Sequence, residues 1–324
     1  MFRKVLKAIG WTAAGLVGLV VLLYLAALAI NWRDREPSAA AKHLTELSRG
    51  RPPIADSDNG YLFLRGWELE GDRREQLPTR IREFLGTCHP GLQGCAGAFD
   101  GSDGLLDEWY AVEGSVLDRY LELTALSGWR EEGFNAESIP RYAGAADGQK
   151  MLLLRARELA KEGDAEGVRA LLERDLRFWR IVLQSSDILV SKMMATAMLN
   201  RHFEWGNLVL RTLSSTKLAA AIPTGWRTEI SQAERSMERC IAGEWLFAAE
   251  MSRGVPEDAF GVAAEFPIVR HATWLIRPLY QQQDTLNHYA EHYWTAAHAF
   301  EVPRQSIVFT GLQSGERGEH RIYY

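Results

Sequence analysis

Cysteine is scarce in this chain: Cys88, Cys95 and Cys240 are the three in 324 residues. None belongs to a C-x-x-C pair, which argues against a thioredoxin-type redox centre and a paired zinc knuckle. There is no G-x-x-x-x-G-K-[ST] loop and no G-x-G-x-x-G fingerprint, so the usual phosphate cradles are missing. GLQSG at 311–315 is not the G-x-S-x-G of a serine hydrolase, and no strand-turn-helix surrounds it. Sustained period-two alternation is nearly absent, which argues against a β-sandwich or barrel. Charge of one sign is not concentrated either. The 37 Lys and Arg stand against 42 Asp and Glu for a net charge of −5, interspersed, with no basic stripe. Nucleic acid is therefore not an expected partner, and an acidic exterior does not favour tight adsorption to anionic lipid.

What the chain does have begins at its N-terminus. From Ile9 to Ile30 no residue is charged, and roughly 20 apolar residues suffice to cross a hydrocarbon core as a helix. Trp11 and Trp32 stand near the two ends, where amphipathic rings favour the interface. Arg3, Lys4 and Lys7 precede the run without an acid, while Arg33, Asp34, Arg35 and Glu36 follow it and cancel. The basic flank is expected in the cytoplasm and the bulk of the chain outside, in the periplasm if the membrane is an inner one. A cleaved signal peptide is the rival, with Ala27-Leu28-Ala29 as the site, but the run exceeds the ~7–15 residues of a signal core. Either way the rest of the chain is exported. Residues 1–32 then form the flank and anchor, 33–57 a polar stalk, and 58–324 a helical extracytoplasmic domain.

Within CHPGLQGC, residues 88–95, Pro90, Gly91 and Gly94 turn the chain back on itself. In an oxidising compartment this reads as a Cys88–Cys95 disulfide that closes a short loop, with Cys240 a core thiol. Two free thiols, or a metal on Cys88, His89 and Cys95, are the alternatives.

The exported part reads as helices. Asp58 or Asn59 caps a helix near Tyr61. Residues 86–104 are glycine-rich and irregular, and DGSDG at 100–104 is a turn or cap rather than a calcium loop, since Leu105 stands where that loop needs glycine. Leu105–Leu126 is a helix and 133–150 a loop. MLLLRARELAKEGD is a helix stopped by Gly163, with Asp164 capping the next, in which Val168, Leu171, Leu172, Leu176, Trp179, Val182 and Leu183 recur at three and four. Ile188–Trp205 is a third helix. This looks like a tetratricopeptide-type hairpin, but no second copy follows at that period. Another helix runs from about Ile230 to Arg253, and the last from Pro278 to Phe300. The tail holds a strand-like SIVF and ends on RIYY, which either docks on the body or marks a shortened end.

Two stretches carry candidate chemistry. HYAEH at 288–292 matches the inverted zinc-protease signature H-x-x-E-H. On a helix His288, His292 and Asp284 share a face and can hold Zn²⁺, leaving Glu291 as general base. Against this, the motif falls in the last helical turns of a helical chain, where an exposed polar stripe is the simpler account. In SSDILVSKMMATAMLN, Asp187 and Lys192 are the only charges in an otherwise neutral run. With Trp179 they are candidate binding residues, although a lysine stem lying on the core with its amine in water explains Lys192 as well. Met193, Met194 and Met198 line an adaptable groove or fill the core.

The N-terminal anchor, DNGYLFLRG at 58–66, the spaced cysteines, DLRFWRIVLQSSDILVSKMMA at 175–195 and QQQDTLNHYAEHY at 281–293 together resemble a family of single-pass, membrane-anchored, periplasm-facing helical proteins of proteobacteria with no known activity. The resemblance implies an envelope location and a helical fold, and supplies no site residue. The function expected is that of an anchored protein whose helices bind a protein, peptide or lipid partner, with the question of catalysis open. The alternative is a zinc-dependent hydrolase of an envelope component.

Overall fold

The computed structural model describes residues 2–67, 77–88, 94–253 and 279–299. The architecture is mainly α, with no strand among the described residues; Asn59 and Gly128 form an isolated bridge. The strand-like SIVF and the RIYY terminus lie outside the described residues. The chain divides into two compact units, one from residues 1–51 with 241–298 and the other built on Pro52–Cys240.

In the first unit, α1 (Phe2–Ile30) contains the 22-residue apolar run, none of which is buried within the protein. The segment read as a stalk is partly helical. Ser38 accepts from the N–H of Ala41 and starts α2 (Ala39–Arg49), which buries Ala40, Ala41 and Leu44.

The second unit opens where Asn59 caps α3 (Gly60–Arg65), accepting from the Tyr61 N–H at 3.2 Å. The same side chain donates to the Arg130 carbonyl at 2.9 Å, so one residue both starts a helix and holds a distant loop. After α4 (Thr79–Thr87), Cys88 and Cys95 are joined as a disulfide. Cys95 then begins a short helix, α5 (Cys95–Asp100), inside the stretch expected to be irregular. His89 and the loop tip lie outside the described residues. Gly104, at φ 69°, leads into α6 (Leu105–Ala125). The DGSDG carboxylate Asp103 pairs with Arg157 at 2.7 Å and with Lys161, which together lower its pKa to about 2.

Helix α7 (Ala143–Glu162) starts well before the expected Met151, because its first two turns carry small residues that admit α6. A Cβ on Gly148 would stand 2.4 Å from Tyr120 Cβ. Gly163, at φ 77°, ends α7, and Asp164 accepts from the Gly167 N–H to start α8 (Ala165–Ser185), as the sequence predicts. α9 (Leu189–Thr212) completes the hairpin, and α6, α7, α8 and α9 pack on one another. A short α10 (Ser215–Ala221) and α11 (Gln232–Arg235) close over α8. The core is unusually aromatic: Trp109, Trp129, Trp179, Trp205, Tyr61, Tyr120, Phe99 and Phe178 are wholly buried.

The helix expected from Ile230 is broken at Ser236, so that α12 runs from Glu238 to Arg253. Cys240 is buried, with its thiol on the Met237 carbonyl at 3.0 Å. In the first unit, α13 (Gln282–Ala299) buries Leu286, Ala290 and Ala297, and Trp245 donates to the Leu286 carbonyl at 3.3 Å.

Candidate functional site

The three candidate binding residues are interior. Trp179 is wholly buried and donates its indole N–H to the Tyr120 hydroxyl at 2.7 Å. Lys192 is buried at the start of α9, donating to the Leu183 carbonyl at 2.9 Å, and burial pulls its amine below the ordinary lysine range. Asp187 is buried in the α8–α9 turn, 3.6 Å from the half-buried guanidinium of Arg239.

Asp187 brings a partner that the sequence does not advertise. Its backbone N–H donates to Glu131 at 2.6 Å, and the Trp129 indole donates to the other Glu131 oxygen at 2.8 Å. The Tyr142 hydroxyl donates to Ser191 at 2.6 Å, and Ser191 in turn hydrogen-bonds Glu131. Burial, reinforced by the charge of Asp187, pushes the Glu131 carboxyl up to about 7. A neutral Glu131 avoids a second buried negative charge beside Asp187. The cluster ties the loop after α6 to the α8–α9 turn.

A second polar cluster lies among α6, α7, α8 and α9. Asp175 accepts from the Tyr120 hydroxyl, from Gln149 Nε2 at 3.0 Å and from His202 Nδ1 at 2.7 Å. The Trp226 indole donates to His202 Nε2 at 2.8 Å. An indole N–H only donates, so Nε2 carries the lone pair and the proton is on Nδ1. The Asp–His pair therefore has the geometry of a catalytic dyad, but its outer nitrogen is occupied by Trp226. Burial and the Asp175 charge push the Tyr120 hydroxyl well up, so it stays a donor. Beside this network a small cleft is lined by Leu176, Arg180, Leu183, Phe203, Trp226 and Glu234, with space for about one water. Arg180 closes it with a two-pronged pair to Glu234, 2.8 Å on one prong.

The HYAEH stretch lies on α13, where His288, Tyr289, Glu291 and His292 are exposed. Asp284 faces Arg35 at 3.2 Å. Among the described residues no three His, Cys, Asp or Glu side chains come together to hold a metal. Of the methionines on α9, Met198 is wholly buried, Met194 packs on the core and Met193 is 61% exposed.

Asp175, His202 and Gln149 escape motif searching because no motif contains them. Their signal is positional. Asp175 follows Val168 and Leu172 on the stripe that leads to Trp179, and a carboxylate on a core stripe marks a buried network. Glu131 has no such signal, since it lies in a loop. The chain matches no protein-family model, no curated protein and no solved structure. The apolar helix, as anchor or signal, and the disulfide suggest a membrane or extracytoplasmic location.

Proposed function

We propose that this chain is an envelope protein held in the inner membrane by α1, N-terminus in the cytoplasm, whose helical periplasmic body binds a protein, peptide or lipid partner. The observation that carries this is α1 itself: 22 apolar residues of which none is buried in the protein, so that a bilayer is the environment that covers them. The basic flank before it and the disulfide beyond it support the orientation. The contact surface fitting this function is the start of α9, where Val190 and Met193, three residues apart, are exposed on one face.

Reporter fusions test the topology: alkaline phosphatase joined after residue 253 is expected to be active and a cytoplasmic fluorescent reporter there dark, and the reverse would overturn it. A photo-crosslinking residue at Met193 tests the binding. One discrete adduct in intact envelopes, lost with Val190→Asp, is expected; a smear unaffected by Val190→Asp would sink the idea. A zinc hydrolase on α13 is the second reading, favoured by the exposure of His288 and His292 one turn apart. Stoichiometric zinc lost in His288→Ala/His292→Ala is its test.

A further inference from the structure

Asp34 stands four residues beyond the end of the apolar span at Ile30. Its carboxylate accepts from the backbone N–H of Gln283 at 2.6 Å and of Asp284 at 3.1 Å, two orphan donors in the first turn of α13. Arg35 Nε lies 3.2 Å from the Asp284 carboxylate. Asn287, one turn further, donates to the Glu36 carbonyl at 2.9 Å and accepts from the Ser38 N–H at 2.8 Å. Gln281 reaches the Arg33 carbonyl at 3.5 Å. The stretch that leaves the span is thus fastened, residue by residue, to the start of α13.

Chain geometry then sets the height of α13 above the membrane. Four residues reach at most roughly 14 Å when fully extended, and residues 31–33 are turned, not extended. The headgroup layer outside the hydrocarbon is roughly 5–8 Å thick on each side. The first turn of α13 is therefore held at or just above that layer. Two amphipathic rings are exposed at this level, Trp32 at 82% and Tyr280 at 41%, and such rings favour the bilayer interface.

We propose that Trp32, Tyr280 and the first turn of α13 form a seat on the phospholipid headgroup layer, so that the first unit rides on the bilayer instead of swinging on a tether. The proposal rests on α1 being a membrane span. Net charge plays no part in it: the span supplies the tether and the rings supply the contact, so zwitterionic lipid suffices.

The test uses the full chain with Gln282→Cys, in the first turn of α13 and outside both rings and the clamp, carrying a bimane fluorophore, in phosphatidylcholine nanodiscs with and without a headgroup-nitroxide lipid. Cys88 and Cys95 are bonded and Cys240 is buried, so the label has one site. The nitroxide lipid is expected to quench the fluorophore, and Asp34→Ala with Asn287→Ala to reverse the quenching while circular dichroism stays unchanged. Alkaline carbonate extraction of native membranes is run alongside. A chain that stays in the membrane but is not quenched overturns the seat alone. A chain released by carbonate overturns both the seat and the span. Quenching that survives the double substitution shows that the clamp does not create the seat, and overturns it as the cause.

Discussion

His202 Nδ1 lies 2.7 Å from Asp175 Oδ2, and neither side chain has any exposure to solvent. With Tyr120 and Gln149 on the same carboxylate, one anion organises donors from α6, α7 and α9 around α8. The arrangement is fully hydrogen-bonded, which is the condition under which a buried charge is tolerated.

Asp175→Ala leaves the Tyr120, Gln149 and His202 donors without an acceptor in the core. A buried polar group stripped of its partner costs about 1–3 kcal/mol, so a loss of roughly 3 kcal/mol or more is expected, seen as a fall in Tm of roughly 6 °C or more. Thermal unfolding by circular dichroism checks it. A change within 1 °C would mean that the network is not as drawn.

Glu131 makes stability depend on pH in a defined direction. Its folded pKa is raised from 4.5 to about 7, so the native state holds a proton that the unfolded state has already released. The contribution is fully present below pH 4.5 and is lost as pH rises through about 7, by up to roughly 3 kcal/mol. Glu131→Gln keeps a neutral side chain in place and is expected to flatten this slope. Urea unfolding of both proteins at pH 5 and pH 8 measures the difference, and equal slopes would refute the shift.

Gly148→Ala is expected to be strongly destabilising for a one-methyl change. The added Cβ meets the Cβ of Tyr120 at 2.4 Å and its Cγ at 2.7 Å, so α6 and α7 must separate. Overpacking costs about 1–3 kcal/mol, and the displaced Tyr120 also loosens its bond to Asp175. Chemical denaturation reads the loss; a neutral result would show that α7 sits further from α6.

The Cys88–Cys95 bond closes a short loop, seven residues apart in sequence. The chain-entropy relation gives about 2–3 kcal/mol for so small a ring. Cys88→Ser with Cys95→Ser should lower stability by about that amount while leaving the fold intact. Thiol counting on the unreduced, unfolded protein should find a single reactive thiol, Cys240, and three thiols would show the bond is absent.

The sequence by itself determined the helical class, the apolar N-terminal helix and the punctuation of the central hairpin. These are local matters: Gly163 takes a left-handed backbone, Asp164 offers an oxygen to the next turn, and apolar residues recur at helical spacing. It also singled out Asp187, Lys192 and Trp179, but not what they touch. Tertiary structure decided that Trp179 faces Tyr120, that Asp187 meets Glu131 across 56 residues of chain, and that Asp34 caps a helix 249 residues later. It also decided that α7 begins at Ala143, because Gly148 fits under Tyr120. Such pairings depend on which faces meet after folding, and a hydrogen bond between distant residues leaves no periodic trace in the chain. Spacing reveals which residues share a surface; packing alone determines what that surface meets.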